Sequence, residues 1–240
     1  MCMKDKIFVC GDLHGNVKDF LYRNQKNLEN SNVICVGDFG IGFGGPHSSE
    51  VLYDDIKKYL ESNNIMFYTI RGNHDNPEFF DTQHDFPLLK FIPDHKVIDI
   101  GGHTFYSIGG GTSIDIDTPD DRGRTRRKIN DEYIRYGSSK RIWWPEENIV
   151  QITSDLPIKV DYIISHEAPL NFSPISIRTG NISGEVWEKM ISERNYLQWI
   201  TTEINAKWWF YGHYHRSYSG HYGNLMYRGL GIEEIFEVPQ

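Results

Sequence analysis

Ile7-Phe8-Val9-Cys10 is a short continuous apolar run closed by Gly11, the pattern of a strand buried on both faces. From Val17 to Leu28, the apolar positions Val17, Phe20, Leu21 and Leu28 recur at spacings close to three, four and seven. That spacing predicts an amphipathic helix with Asn16 as its N-cap. Val33-Ile34-Cys35-Val36 repeats the strand pattern and ends at Gly37. A second helix is expected from Ser48 or Ser49, with Glu50 in its first turn. Its buried stripe is Leu52, Ile56, Tyr59 and Leu60. Ile65 to Ile70 predicts a third strand, ending at Arg71-Gly72. Strand, helix, strand, helix, strand argues for a βαβ-based sheet with right-handed crossovers.

The second half is richer in strands. Lys96 to Ile100 and His103 to Ile108, separated by Gly101-Gly102, predict a hairpin. Tyr162 to Ser165 and Lys207 to Tyr211 predict buried strands. Between them, Gly184 to Asn205 predicts a helix with Trp187, Met190, Ile191, Ile200 and Ile204 on its apolar side. Leu225-Met226-Tyr227 and Ile235-Phe236-Glu237-Val238 read as closing strands. Asp115 to Asn148 is polar and irregular, either an ordered excursion over a site or a flexible loop.

Composition narrows the class. No Pro/Ser-rich linker or long charge run divides the 240 residues, so a single domain spanning 1–240 is expected. The formal net charge of −8 argues against a general binder of nucleic acid or anionic membrane, which needs a basic footprint. It leaves open a small phosphorylated substrate held by metal ions. Cys2, Cys10 and Cys35 do not suggest a disulfide framework and are expected to be buried thiols. The N-terminus lacks a signal-peptide apolar region, and no stretch approaches the roughly 18 apolar residues of a membrane span. The expectation is a cytoplasmic protein; nothing in the sequence sets an oligomeric state.

The candidate chemistry lies where apolar runs stop. Gly11-Asp12-Leu13-His14-Gly15-Asn16, Gly37-Asp38-Phe39 and Arg71-Gly72-Asn73-His74-Asp75 each place hard oxygen or imidazole donors at a strand end. Ser165-His166-Glu167 and Gly212-His213-Tyr214-His215 do the same late in the chain. In open α/β sheets, ligands bind beyond the carboxyl ends of the strands. Asp12 and His14 are two residues apart in one turn, so both can reach one ion. Asp38 can bridge two ions, and Asn73 offers a neutral amide oxygen. His166 and His213 add nitrogen to one ion, His215 to the other. Mixed carboxylate, amide and imidazole donors suit manganese, iron or zinc better than calcium or magnesium. Two such ions about 3.5 Å apart share a hydroxide and clamp a phosphoryl group for in-line attack. Any one cluster alone also occurs as a capped turn; five in this order point to one site built from the whole fold.

This series of motifs resembles the calcineurin-like metallophosphoesterase superfamily, and it runs from residue 11 to 215. The resemblance implies an α/β (α+β) architecture, two mixed β-sheets packed as a sandwich and flanked by helices. It implies one ion held by Asp12, His14, Asp38 and His215, and another by Asp38, Asn73, His166 and His213. It makes His74 a non-ligand histidine that protonates the leaving oxygen or stabilises the transition state, oriented by Asp75. Arg71 matches the Arg-Gly-Asn-His form of the protein Ser/Thr phosphatase branch, which implies a phosphate contact. That branch carries Gly-Asp-x-Val-Asp-Arg-Gly at its second motif, whereas this chain has Gly37-Asp38-Phe39-Gly40-Ile41-Gly42. The missing Asp-Arg pair speaks against a protein phosphatase. Trp143-Trp144-Pro145-Glu146-Glu147, after Gly109-Gly110-Gly111, resembles bacterial and phage-type members.

The expected function is hydrolysis of a phosphomonoester or phosphodiester, with a small phosphorylated molecule or a phosphoprotein as partner. Two alternatives stand beside it, a dinucleoside polyphosphate hydrolase and a metal-binding scaffold without catalysis. Arg122, Arg124, Arg126, Arg127 and Lys128 form a basic cluster, either a solvated loop or a lid that meets substrate phosphates. Trp143 and Trp144 read as packing anchors or a base-stacking platform, and Trp208 and Trp209 as core. His47 is a surface residue or one that faces substrate; His84, His95, His103 and His221 are structural or exposed.

Overall fold

Successive residues of each apolar run face different layers, and that alternation builds a three-layered core. A computed structural model describes residues 6–42, 48–138, 140–172 and 182–239. In chain order the elements are β1 (Lys6–Cys10), α1 (Val17–Arg23), α2 (Gln25–Leu28), β2 (Ser31–Cys35), α3 (Ser48–Ser62), β3 (Met66–Thr69), β4 (Leu89–Phe91), β5 (Val97–Ile100), β6 (His103–Ile108), α4 (Arg126–Arg135), β7 (Tyr162–Ser165), α5 (Gly184–Glu203), β8 (Trp208–Tyr211), β9 (Tyr218–Tyr222), β10 (Leu225–Gly229) and β11 (Ile235–Glu237).

Two mixed sheets result, ordered β11-β1-β2-β3-β4 and β5-β6-β7-β8-β10-β9. Strands β1 to β4 run parallel, with β11 antiparallel on the outer edge of β1. In the second sheet β6, β7, β8 and β10 are parallel, flanked by antiparallel β5 and β9. Ile7, Val9, Ile34 and Val36 meet Phe105, Tyr162, Ile164 and Phe210 between the sheets. The alternate residues Phe8, Cys10, Val33 and Cys35 pack outward with Phe20, Ile56 and Leu60 of α1 and α3. Ile163, Trp209 and Tyr211 pack on the opposite outer face with Leu197 and Ile200 of α5. Burial on both faces explains why these strands read as unbroken apolar runs. The result is the expected α/β sandwich flanked by helices. Cys10 and Cys35 are buried free thiols; Cys2 and His47 lie outside the described residues. Among the described residues, no helix is long and apolar enough to cross a membrane.

Several expectations change. The helix over 17–28 breaks at Asn24, whose side-chain amide donates to the Phe20 carbonyl at 2.9 Å and ends α1. Asn16 precedes α1 but makes no capping bond. Its amide donates to Glu233 Oε1 at 3.2 Å instead. Trp187 is exposed, because α5 turns Val186, Met190, Glu193, Leu197 and Ile200 inward. Glu193 is tolerated there since it accepts bonds from Thr112, Asn148 and the Ile149 backbone. Strands β4, only three residues long, and β9, a partly exposed edge strand, are not among the expected elements. The segment from Asp115 to Asn148 holds a helix, α4, capped by the Thr125 hydroxyl.

Candidate metal centre

The carboxyl ends of β1, β2, β3, β7 and β8 converge, and each delivers its polar cluster to one place. Glycines make the approach possible. A Cβ on Gly37 would lie 2.4 Å from His166 Nδ1, one on Gly72 2.1 Å from Asp38 Oδ1, and one on Gly212 2.3 Å from Asp12 Oδ1. The apolar-run-then-glycine pattern thus reflects a side chain from one strand end resting on the backbone of another. Ten described non-glycine residues have positive φ, and His14, Asp38, His213 and His215 are four of them. Left-handed backbone at such residues is costly and gathers where function holds it in place.

Two donor groups meet at Asp38. In the first, atoms of Asp12, His14, Asp38 and His215 all come within 4.8 Å of one another. His14 Nε2 faces His215 Nε2 at 3.1 Å, and His215 Nε2 lies 3.2 Å from Asp12 Oδ2. In the second, Asn73 Oδ1 is 2.8 Å from His166 Nε2 and 2.9 Å from His213 Nδ1. His166 Nε2 lies 3.3 Å from Asp38 Oδ1. Asp12, Asp38, Asn73 and His166 are at most 2 % exposed. Buried carboxylates with imidazole nitrogens aimed at one another are the donor set a cation completes.

The rings are held by their far sides. His166 Nδ1 meets the Val36 carbonyl at 2.9 Å, which leaves Nε2 to the cluster. His213 Nε2 faces the buried Glu167 at 3.6 Å, and Glu167 also accepts from the Ala168 backbone and the Tyr214 hydroxyl. Burial opposes charge on Asp38, but His166, His74 and His14 outweigh it and hold the carboxyl well below the usual carboxylate range. Burial likewise disfavours a charged His166, yet Asp38 and Asp12 raise it to about 10. Burial and the charge of His166 push His213 down to about 3. The carboxylates therefore draw a proton onto His166, and a cation competes with that proton.

Two expected roles change. Arg71 is buried and has its partners outside the two donor groups. Its guanidinium donates to the carbonyls of Glu146, Glu147, Asn148 and Gly109 and to Asp94 Oδ2 at 2.7 Å. A buried guanidinium engaged in this way ties the loop after β3 to the Glu146–Asn148 segment. Asp75 is expected to orient His74, but its two oxygens accept the backbone N–H groups of Phe39, Gly40, Ile41 and Gly72. It ties the loop after β2 to the loop after β3, and burial raises its carboxyl to about 6.

His74 stands beside the donors without joining either group. Its backbone N–H donates to Asp38 Oδ1 at 2.8 Å. Its Nδ1 is 3.1 Å from Arg126 Nη1. A guanidinium has no acceptor, so Nδ1 accepts and the neutral ring carries its proton on Nε2. Burial lowers the His74 pKa, and Arg126 lowers it further against the pull of Asp38. Arg126 is held by Asp115 at 2.7 Å. Of the other basic residues, Arg124 pairs with Asp120 and Arg127 with Asp117, with Arg127 also over the Trp143 ring. Trp144 is buried, as a packing anchor should be. A cavity of about 420 Å³ opens over the donors, walled by His74, Ser113, Asp115, Tyr214 and Arg216 among others. Glu167 sat in plain view beside His166, but nothing local marks it as a partner of His213; Arg126 is visible only as one of five basic residues.

The chain belongs to the calcineurin-like phosphoesterases, whose family model matches residues 5–217. No curated protein sequence matches it. Among solved structures it is similar to a putative 5′-nucleotidase from Staphylococcus aureus, at 13% identity and a TM-score of 0.48, covering 97% of this chain and 50% of the other. The chain thus spans half the length of that nucleotidase. It is also similar to phosphopantetheinyl hydrolase from Mycobacterium tuberculosis, at 13% identity and a TM-score of 0.43, covering 97% and 92% of the two chains. GAP50, the anchor in the inner membrane complex of Plasmodium, matches at 14% identity and a TM-score of 0.45, over 94% and 71%. None of these likenesses is close enough to bear on substrate.

Proposed function

We propose that the protein is a dinuclear metal-dependent phosphoesterase, acting as one domain in the cytoplasm on a small phosphomonoester or phosphodiester. The observation that carries this reading is the pair of donor groups sharing Asp38. Two ions bound there, manganese, iron or zinc, would polarise phosphoryl oxygens and lower the pKa of water, so that a nucleophile exists at neutral pH.

The chain's own residues supply the rest. Asp38 belongs to both donor groups and would contribute to either ion. His74 is fixed by its backbone bond to Asp38 and by Arg126 at Nδ1. It offers Nε2–H as a hydrogen-bond donor for charge that builds on the leaving oxygen or the phosphoryl group. Arg126, held by Asp115, keeps Nδ1 of His74 an acceptor and so keeps the proton on Nε2. The cavity size suits a small ligand, and the buried thiols of Cys10 and Cys35 fit a reducing compartment. A scaffold that only binds metal needs neither a non-ligand histidine nor an arginine aimed at it. The test is a screen of manganese-loaded protein against phosphomonoesters, phosphodiesters and dinucleoside polyphosphates. Turnover confined to dinucleoside polyphosphates would move the reading to a nucleotide hydrolase. No turnover of any class would leave a metal-binding scaffold.

A further inference from the structure

Asn73 carries an oxygen that can bind a cation and an NH₂ group that cannot. The two differ by a half-turn of one bond, so something has to choose between them. The choice is made outside the donor groups. Asn73 Nδ2 donates to Ser113 Oγ at 2.9 Å. Ser113 Oγ donates in turn to Glu147 Oε2 at 2.6 Å, and the Ser113 backbone N–H donates to Glu147 Oε1 at 2.8 Å. All three side chains are buried.

An ionised carboxylate only accepts. The Ser113 hydroxyl must therefore give its proton to Glu147, which leaves its lone pairs for the Asn73 amide. The amide then has to present NH₂ to Ser113 and its oxygen to the opposite side, where His166 Nε2 and His213 Nδ1 lie. The reverse rotamer would set N–H groups against those ring nitrogens and offer a cation no oxygen. Each link of the chain has one polarity, and Glu147 sets it.

Glu147 is itself anchored. Its carbonyl accepts from Arg71 Nη1 at 2.8 Å and from the Gly111 backbone at 3.0 Å. Arg71 also grips the carbonyls on either side, at Glu146 and Asn148. The arginine two positions before Asn73 thus clamps the segment whose glutamate aims Asn73. This gives the Trp143-Trp144-Pro145-Glu146-Glu147 stretch and the Gly109-Gly110-Gly111 turn, which brings Ser113 into place, a shared purpose.

We infer that Glu147, acting through Ser113, is a positioning residue that orients the Asn73 amide and so sets the affinity of one cation site while leaving the other unchanged. The inference rests on the reading of Asn73 as a metal ligand. Partners of this kind that orient a ligand typically change metal affinity by about 10- to 100-fold.

The experiment is a calorimetric titration of the metal-free protein with Mn²⁺ at pH 8, which keeps Glu147 charged against the burial that raises its carboxyl to about 7. Wild type, Ser113→Ala and Glu147→Gln are compared, with thermal melting of each metal-free protein alongside. Ser113→Ala removes the relay; Glu147→Gln keeps its shape but introduces a donor, so the polarity is no longer imposed. The expected result is two sites in the wild type, and in both variants one site unchanged and one weakened about 10- to 100-fold. Two sites of wild-type affinity in both variants would overturn the relay and leave the dinuclear reading intact. Equal weakening of both sites, in step with a lower melting temperature, would also overturn it, since that is the mark of a general structural role. Fewer than two sites in the wild type would overturn the dinuclear reading and the relay with it.

Discussion

Replacing Arg71 by methionine separates two accounts of that residue more sharply than any other substitution. The buried guanidinium holds four carbonyls and the Asp94 carboxylate. Methionine keeps most of the apolar stem and removes every donor. Asp94 would then retain the Gly109 backbone N–H but lose its countercharge. Breaking a buried ion pair from one side costs about 3–5 kcal/mol, and each carbonyl left dry adds to that. Taking about 4 kcal/mol, and 2–4 °C per kcal/mol for a chain of this size, the metal-free protein should melt about 8–16 °C lower. Circular dichroism in excess chelator reads this directly. Arg71→Lys, which keeps the charge but has fewer donors in a different geometry, should fall between the two. A melting temperature within about 2 °C of wild type, together with a raised KM for substrate, would refute the structural account and restore Arg71 as a phosphate contact.

Asp38→Asn should abolish turnover and weaken both ions, since it alone belongs to both donor groups; wild-type metal content would contradict that. His74→Ala should keep two ions and lose about 10²- to 10⁴-fold in kcat, with a smaller defect for aryl phosphates, whose leaving groups need less help. Loss of an ion from that variant would make His74 a ligand. Burial lifts the Glu193 carboxyl from its ordinary value near 4.5 to about 7. A raised carboxyl favours folding fully below its unfolded pKa and loses that benefit as pH rises through the folded value, so the metal-free protein should lose about 3 kcal/mol between roughly pH 4.5 and 7 from this group. Urea midpoints across that range should fall less steeply in Glu193→Gln; an identical slope would show that Glu193 does not titrate there.

How much of this was legible follows from how local each signal is. The strand ends carrying Asp12, Asp38, Asn73, His166 and His213 were readable because a doubly buried strand is an unbroken apolar run, and because polar side chains resting on a neighbouring backbone demand glycine beside them. The six-residue β6 and its hairpin partner were readable for similar reasons. Strand β9, Tyr218–Tyr222, was not, because it is a partly exposed edge strand held by pairing to β10. The inward face of α5 was misjudged at Trp187, because Glu193 is buried by partners 44 to 81 residues earlier in the chain. The partners of Arg71 and Asp75 were hidden for the same reason. The motif Arg-Gly-Asn-His-Asp says nothing about what lies 75 residues away, and there the carbonyls of the Glu146–Asn148 segment wait for Arg71. Asp75 finds its partners on the loop after β2, where backbone amides carry no side-chain signature.

The central claim is that two cations share Asp38. Anomalous diffraction from crystals of the manganese-loaded protein tests it most directly. The account predicts two peaks about 3.5–4 Å apart, one bounded by Asp12, His14, Asp38 and His215 and the other by Asp38, Asn73, His166 and His213. A single peak under saturating metal, or a pair that does not touch Asp38, would contradict it.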